Sequence, residues 1–222
     1  GEVAAAHTSG VELARHEAEN GASWSELKTS VEGGHYHRLV GATPAHGLVV
    51  AGREAVRAGD FDAAARSLEA ALAIEPSPEA YDILAFLGYV EDDFEEARRL
   101  WDLAFHGYLA AGDLRGAGLA AVYLAGTLYD GFLDESGSRE WLRRASELLN
   151  QVGRCVERGF LALALVACHV RDAHALEQSA VVALELAQEF GDPDLEARAR
   201  ADRGLALINQ GRIAVGLDQL DQ

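Results

Sequence analysis

Two stretches near the middle of the chain repeat each other at a spacing of 33 residues, and this constrains the fold more than any other feature. The first stretch is 59–72 and the second is 92–104. Small and large apolar residues fall at matching places in both. The matched pairs are Phe61 and Phe94, Ala64 and Ala97, Leu68 and Trp101, and Ala71 and Ala104. Pro76 ends the first stretch, so each unit is predicted to carry an amphipathic helix.

A longer repetition appears when the chain is shifted by 79 residues, which is two units of about 39 to 40 residues. Leu84 then falls on Leu163, and Gly112 falls on Gly191. A third match, 211–217, resembles 59–65 and stops inside a predicted helix. Because an unfinished amphipathic helix needs a partner for its apolar face, we expect the native protein to continue.

The repeats predict five helical hairpins, and no segment shows the alternating pattern of a strand. The predicted hairpins pair 45–58 with 61–74, 78–90 with 93–110, 114–130 with 137–151, 157–170 with 173–190, and 194–209 with 213–222. Left-handed helix caps are predicted at Gly59, Gly112, Gly191 and Gly211. Side-chain caps at the start of the following helices are predicted at Asp60, Asp113 and Asp192.

These units resemble tetratricopeptide repeats (TPR). Ala64, Ala71, Ala97 and Ala104 match the small positions of the family, where two helices cross closely, and the aromatic and leucine residues match its large positions. The resemblance covers about residues 45–222. It implies an all-α, TPR-like superhelix of antiparallel hairpins, preceded by a helical cap or linker over residues 1–44. The repeat domain, 45–222, is predicted to be truncated at its C-terminal end.

The later units are also similar to the repeat region of actinobacterial LuxR-type transcriptional regulators. The residues that carry this similarity are 141–145, 191–197, 204–207 and 211–212. The resemblance implies the interaction or sensory region of a larger bacterial regulator whose helix-turn-helix follows the repeats. With only two cysteines, Cys155 and Cys168, a cytoplasmic location is expected.

The charge balance excludes several classes of partner. Lysine and arginine total 19 and aspartate and glutamate total 36, which gives a net charge of −17. Duplex nucleic acid and anionic membranes need a positive surface, so this chain is expected to bind neither. A basic protein or peptide is the partner that the charge favours. No apolar run is long enough to cross a membrane.

The segment before the repeats permits two interpretations. Residues 11–40 have the outline of helix, turn, helix, glycine turn and helix, which is typical of a DNA-binding helix-turn-helix. Residues 1–45 hold six acids against three bases, and 35–40 contain only one arginine. We therefore favour a cap over the first repeat, with a DNA-binding regulator as an alternative.

No combination of residues predicts catalysis or a metal site. His35 and His37 lie about 200° apart on a helix, and Cys168 with His169 falls in an apolar helical run. The acidic cluster at 91–96 lacks the order of a calcium loop. No phosphate-binding loop or activated nucleophile is present in the sequence. We expect no enzyme, no cofactor and no metal.

The predicted function is recognition of a protein or peptide in the concave groove, which the first helix of each hairpin lines. The candidate residues for contacts in the groove or at the edges of the hairpins are Tyr81, Phe86, Tyr89, Arg98, Tyr123 and Tyr129. Each aromatic could instead belong to the core. A second hypothesis is a small-molecule sensor with an apolar pocket lined by Tyr123, Tyr129, Phe132 and Trp141.

The last predicted helix presents Ile213, Leu217 and Leu220 on one face. We expect these residues to pack partly on Leu205 and Ile208. The edge that remains exposed predicts a homodimer through this truncated helix.

Overall fold

The computed structural model describes residues 43–167 and 172–221, and the regular structure in these ranges is entirely helical. The helices are α1 (Pro44–Arg57), α2 (Phe61–Ile74), α3 (Pro78–Val90), α4 (Phe94–Ala110), α5 (Leu114–Phe132), α6 (Glu135–Val152), α7 (Glu157–Ala167), α8 (Ala173–Phe190), α9 (Pro193–Asn209) and α10 (Ile213–Leu220). Three interpretations concern residues outside the described ranges. They are those of residues 11–40, of the histidines at 35 and 37, and of Cys168 with His169.

Consecutive helices pair into hairpins: α1 with α2, α3 with α4, α5 with α6, α7 with α8, and α9 with α10. The four predicted cap glycines all have positive φ, with values of 75° at Gly59, 73° at Gly112, 67° at Gly191 and 82° at Gly211. A side chain is strained in that region, so glycine lets the chain reverse at these turns.

The three predicted aspartate caps are also confirmed. The carboxylate of Asp60 accepts from the backbone N–H of Ala63 at 3.0 Å, and Asp192 accepts from Leu195 at 2.8 Å. Asp113 caps α5 through the N–H groups of Arg115 and Gly116. Each such cap stabilises its helix by about 1 kcal/mol, because it satisfies an N–H group that has no partner within the helix.

The repeated small residues lie where helices cross. Ala64, Ala71, Ala97 and Ala104 are all 0% exposed, and between them Leu68 and Trp101 are fully covered. The largest core cluster runs through α3 to α7, with smaller clusters at the two ends of the described repeats. The first helices of successive hairpins also touch each other, since α1 contacts α3, α5 contacts α7, and α7 contacts α9. They thus share one face of the array.

The turn between α5 and α6 is tighter than the sequence pattern predicted. Helix α5 continues to Phe132 and α6 begins at Glu135, so the expected loop shrinks to two residues. Leu133 takes a left-handed conformation with φ of 53°. Asp134 caps α6 by accepting from the N–H of Gly137 at 2.9 Å. The glycines and serines of 131–138, interpreted as a loop, serve as helix and cap residues.

Among the described helices, none combines the length and the hydropathy that crossing a bilayer would require.

Candidate binding site

A pocket of about 240 Å³ opens on the face formed by the first helices of the hairpins. Four helices of that face contribute, α3, α5, α7 and α9, and one residue comes from α4. The aromatic lining residues are Phe86, Tyr89, Trp101, Tyr123, Tyr129 and Phe160. The smaller lining residues are Val122, Gly126, Leu163 and Ala164. The pocket therefore combines side chains that are far apart in sequence.

The aromatic rings form a connected series across three hairpins. Trp101 stacks on Tyr123 with 5.2 Å between ring centroids and 22° between planes. Tyr89 lies 5.8 Å from Trp101 on one side, and Phe160 lies 6.4 Å from Tyr123 on the other. Such ring pairs add about 0.5–1.5 kcal/mol each beyond the burial of their area, so the walls of the pocket are held in place.

Asp82 and Tyr108 fix the indole of Trp101 from behind. The Trp101 Nε1–H donates to Oδ1 of Asp82 at 2.9 Å, and the Tyr108 hydroxyl donates to Oδ2 of the same carboxyl group at 3.5 Å. Burial raises the pKa of Asp82, and the two hydrogen bonds lower it by less, so that the pKa is about 6. The buried indole N–H is thereby satisfied, as Trp requires inside a core.

Two charged residues line the pocket. The Tyr89 hydroxyl donates to Oδ2 of Asp130 at 2.6 Å, which joins α3 to α5. Arg198 reaches the pocket from α9 and bonds through Nε to Oδ2 of Asp202 at 3.3 Å. Burial raises the pKa of the Tyr123 phenol, so this ring stays neutral at physiological pH. The pocket is apolar at its base and charged where it opens.

Gly126 gives the pocket part of its room. The other three glycines of α5 lie against a side chain, because a Cβ would fall 2.6 Å from Tyr108 at Gly116, 2.6 Å from Leu149 at Gly118 and 2.4 Å from Phe94 at Gly131. A Cβ at Gly126 would meet no atom within 4 Å. Glycine inside a helix costs about 1 kcal/mol relative to alanine. At Gly126 that cost is not offset by close packing. The space left by the missing side chain belongs to the pocket.

Four of the six predicted contact residues meet in this pocket: Phe86, Tyr89, Tyr123 and Tyr129. Tyr81 packs against the main core instead. Arg98 lies on the outer helix α4, where it pairs with Glu95 at 3.0 Å and lies over the ring of Phe132. Neither residue lines the pocket.

The pocket also differs from the one predicted for a small-molecule sensor. Tyr123 and Tyr129 line it, but Trp141 packs edge-on against Phe105 at 4.9 Å, and Phe132 contacts Arg98. The lining residues that sequence reasoning missed are Trp101, Val122, Gly126, Asp130, Phe160, Leu163, Ala164 and Arg198. Trp101 was assigned to the core from its repeat position, and its exposed fraction of 2% agrees with that assignment. It was missed only because one edge of a core residue also borders the pocket.

Other polar groups of the described chain serve the fold. Arg115 holds the carboxylate of the buried Glu157 at 2.9 to 3.1 Å, which ties α5 to the start of α7. Burial raises the pKa of the Cys155 thiol, which favours the unreactive protonated form. Within residues 43–167 and 172–221, no three His, Cys, Asp or Glu side chains converge as a metal site would need.

Comparison with known proteins identifies the fold. No protein-family model matches the chain. No curated protein matches it in sequence either. Among solved structures it is similar to the apo form of RapI, a TPR-like helical repeat protein, with a TM-score of 0.57 and 13% identity. The similarity covers 80% of this chain and 68% of that one. The fold is an all-α, TPR-like superhelix. The resemblance to LuxR-type regulators stays a prediction.

Proposed function

We propose that the repeats form a protein-interaction module whose concave face binds a protein or peptide segment, with the pocket around Gly126 as its anchor point. The role is binding, without a catalytic step. The observation that carries the proposal is the open volume beside Gly126, on the face that the first helices share. Successive first helices of helical repeats present side chains along such extended surfaces.

The size of the pocket favours one side chain of a larger partner over a whole small molecule. Its volume is about 240 Å³, whereas pockets for drug-sized ligands usually measure about 300–1,000 Å³. A small-molecule sensor remains the second candidate, because Tyr123 and Tyr129 line the pocket as that hypothesis requires.

Selection of peptides from a display library on the 222-residue chain tests the proposal. We expect binders whose Kd rises at least tenfold in a Gly126→Phe variant, because the new ring occupies the pocket. Gly47→Phe is the matched control, since Gly47 is an exposed glycine of α1 whose Cβ would also meet no atom within 4 Å. Selected peptides that bind all three proteins equally would contradict a concave-face site at this pocket.

We also propose that the module belongs to a larger bacterial transcriptional regulator that works in the cytoplasm. Its partner would be a basic protein or peptide. A second copy of the chain would bind as well, to form a homodimer. The similarity of 191–212 to LuxR-type repeat regions and the net charge of −17 support this. Sequencing of the surrounding gene is the test. A helix-turn-helix in the same reading frame is the expected result, and a different domain there would contradict the regulator assignment.

A further inference from the structure

We propose that the pocket takes a cationic side chain, the arginine or lysine of a basic partner segment. This inference rests on the proposed function, and it adds the chemical class of the residue that is bound. It is carried by the ring faces that line the pocket, by the carboxylate of Asp130 at its mouth, and by the net charge of the chain.

The ring faces provide the attraction. Trp101 is only 2% exposed, so it supports the pocket from behind and does not offer its face. Phe86 is 41% exposed, and Tyr89, Tyr129 and Phe160 are half-buried. A cation within about 6 Å of an aromatic ring centroid is attracted by the negative face of the ring. The apolar stem of an arginine or lysine would meet Ala164, which is half-buried.

The charges around the pocket favour a cation over an anion. Asp130 lines the pocket and accepts a hydrogen bond from a neutral group, the hydroxyl of Tyr89 on α3. Arg198 is the cation among the described lining residues, and Asp202 pairs with it at 3.3 Å. After burial, three carboxylates raise the pKa of the Tyr123 phenol, those of Asp82, Asp192 and Asp194, and Arg198 alone lowers it. Among the described residues that line the pocket or act on Tyr123, carboxylates thus outnumber the one cation, Arg198.

The whole chain agrees with this local balance. A net charge of −17 steers positively charged segments toward the surface and disfavours acidic ones. A planar guanidinium can lie on an aromatic face and bond to a carboxylate at its edge, and the pocket is lined by both kinds of group, the rings of Phe86 and Tyr129 and the carboxylate of Asp130. Of the two cationic side chains, arginine is expected to bind more tightly.

Nuclear magnetic resonance titration with five defined peptides tests the inference. The probes are acetyl-Gly-Gly-X-Gly-Gly-amide, with arginine, lysine, glutamine, leucine or glutamate at X. The reporters are the Trp101 indole N–H and the Gly126 backbone N–H, both at the pocket. We expect saturable shifts of both signals with arginine and lysine, and none at equal concentration with the other three peptides.

Four variants separate the charge of Asp130, the ring face of Phe86, the net charge of the chain and the charge of Arg198. Asp130→Asn keeps an acceptor for Tyr89 but removes the charge, and it should weaken arginine binding about tenfold. Phe86→Leu keeps apolar area but removes a ring face, and it should weaken binding about threefold. Glu69→Gln, on the exposed face of the outer helix α2, is the control and should change nothing. Arg198→Gln should bind arginine at least as well as the parent.

Each failure has its own meaning. Equal shifts with glutamine or leucine would overturn the cation assignment while leaving a groove that binds peptides. If the glutamate peptide bound more tightly and this binding were lost in Arg198→Gln, the pocket would prefer an anionic side chain, and the proposal would be overturned. Display-selected binders that depend on Gly126 but carry no basic residue would also overturn the cation assignment and leave the proposed function standing. A Gly126→Phe variant that binds every selected peptide normally would remove the proposed function itself.

Discussion

Gly204 of α9 and Gly216 of α10 bring two helix backbones into direct contact. A Cβ on Gly216 would lie 2.6 Å from the carbonyl oxygen of Gly204, and a Cβ on Gly204 would lie 2.9 Å from that of Gly216. Helix α10 begins at Ile213, the preceding Arg212 gives it no side-chain cap, and Gly216 is its one buried residue. The glycine contact therefore holds much of this last helix in place.

We predict that Gly216→Ala destabilises the chain by about 1–3 kcal/mol, because a methyl group there must push the two helices apart. Gly126→Ala is the matched comparison, since its Cβ enters open space and alanine is the better helix former. That variant should gain about 0.5–1 kcal/mol. Urea unfolding followed by circular dichroism measures both. Equal effects of the same sign would contradict the assigned glycine contact.

The repeated alanines should not tolerate enlargement. Ala97→Leu and Ala104→Leu should each cost about 1–3 kcal/mol, because both residues are 0% exposed and the added atoms force the helices apart. Ala70→Leu, on the exposed face of α2, should change the free energy of unfolding by less than about 0.5 kcal/mol. Urea midpoints that match the parent for the two buried variants would show that these crossings are loosely packed.

Asp82 should make stability fall as pH rises. Its folded pKa of about 6 lies above the ordinary value of 3.8 for an aspartate, so the folded state binds the proton more tightly than the unfolded state does. The stabilisation that this gives is complete below pH 3.8 and is lost as pH rises through 6. Asp82→Asn should therefore exceed the parent in stability by about 1–3 kcal/mol at pH 7.5 and match it below about pH 4.

Urea midpoints of the parent and of Asp82→Asn at four pH values between 4 and 7.5 give the difference directly, because the other acids are common to both proteins. A difference that stays constant over this range would show that Asp82 ionises with an ordinary pKa.

Helix α10 should support self-association. Ile213, Val215, Leu217 and Leu220 are between 47% and 58% exposed, although Leu220 also packs near Gly204. Light scattering over a concentration series should show a dimer that Leu217→Glu and Leu220→Glu weaken. Leu133→Glu is the control, since Leu133 is 81% exposed at the turn between α5 and α6. A dimer that all three variants weaken equally would be due to general charge repulsion.

The chain should have little affinity for duplex DNA. A net charge of −17 repels phosphate, and the tight binding of a duplex depends on basic residues that replace its counterions. Fluorescence anisotropy with a labelled duplex at physiological salt should show no binding. Tight binding that falls steeply with salt would favour the alternative in which residues 11–40 bind DNA.

Local sequence signals predicted the helices well, because their ends are set by single residues. Aspartate caps and glycine turns fixed most boundaries to within a few residues, and small residues marked the crossings. The prediction for the turn after Phe132 was wrong, because Gly131 and Gly137 suggested a longer loop. Gly131 instead makes room for Phe94, a residue of another hairpin. Contacts of that kind leave no trace in local patterns.

The pocket was predicted only in part for the same reason. Phe86, Tyr89, Tyr123 and Tyr129 were chosen as aromatic residues of first helices, and periodicity supports that choice. Tyr81 was chosen on the same ground but packs against the core, and Arg98 lies on the outer helix α4. Phe160 and Arg198 reach the pocket from later hairpins, so their place depends on the curvature of the superhelix.

The ring series from Tyr89 through Trp101 and Tyr123 to Phe160 has a consequence for cooperativity. Repeat arrays unfold by units whose coupling depends on the interfaces between neighbours. Here one row of neighbouring rings joins three consecutive hairpins, whereas α10 ends the described array and has Gly216 as its one buried residue. The central hairpins should therefore exchange their amide hydrogens together and last, and α10 should open first and alone.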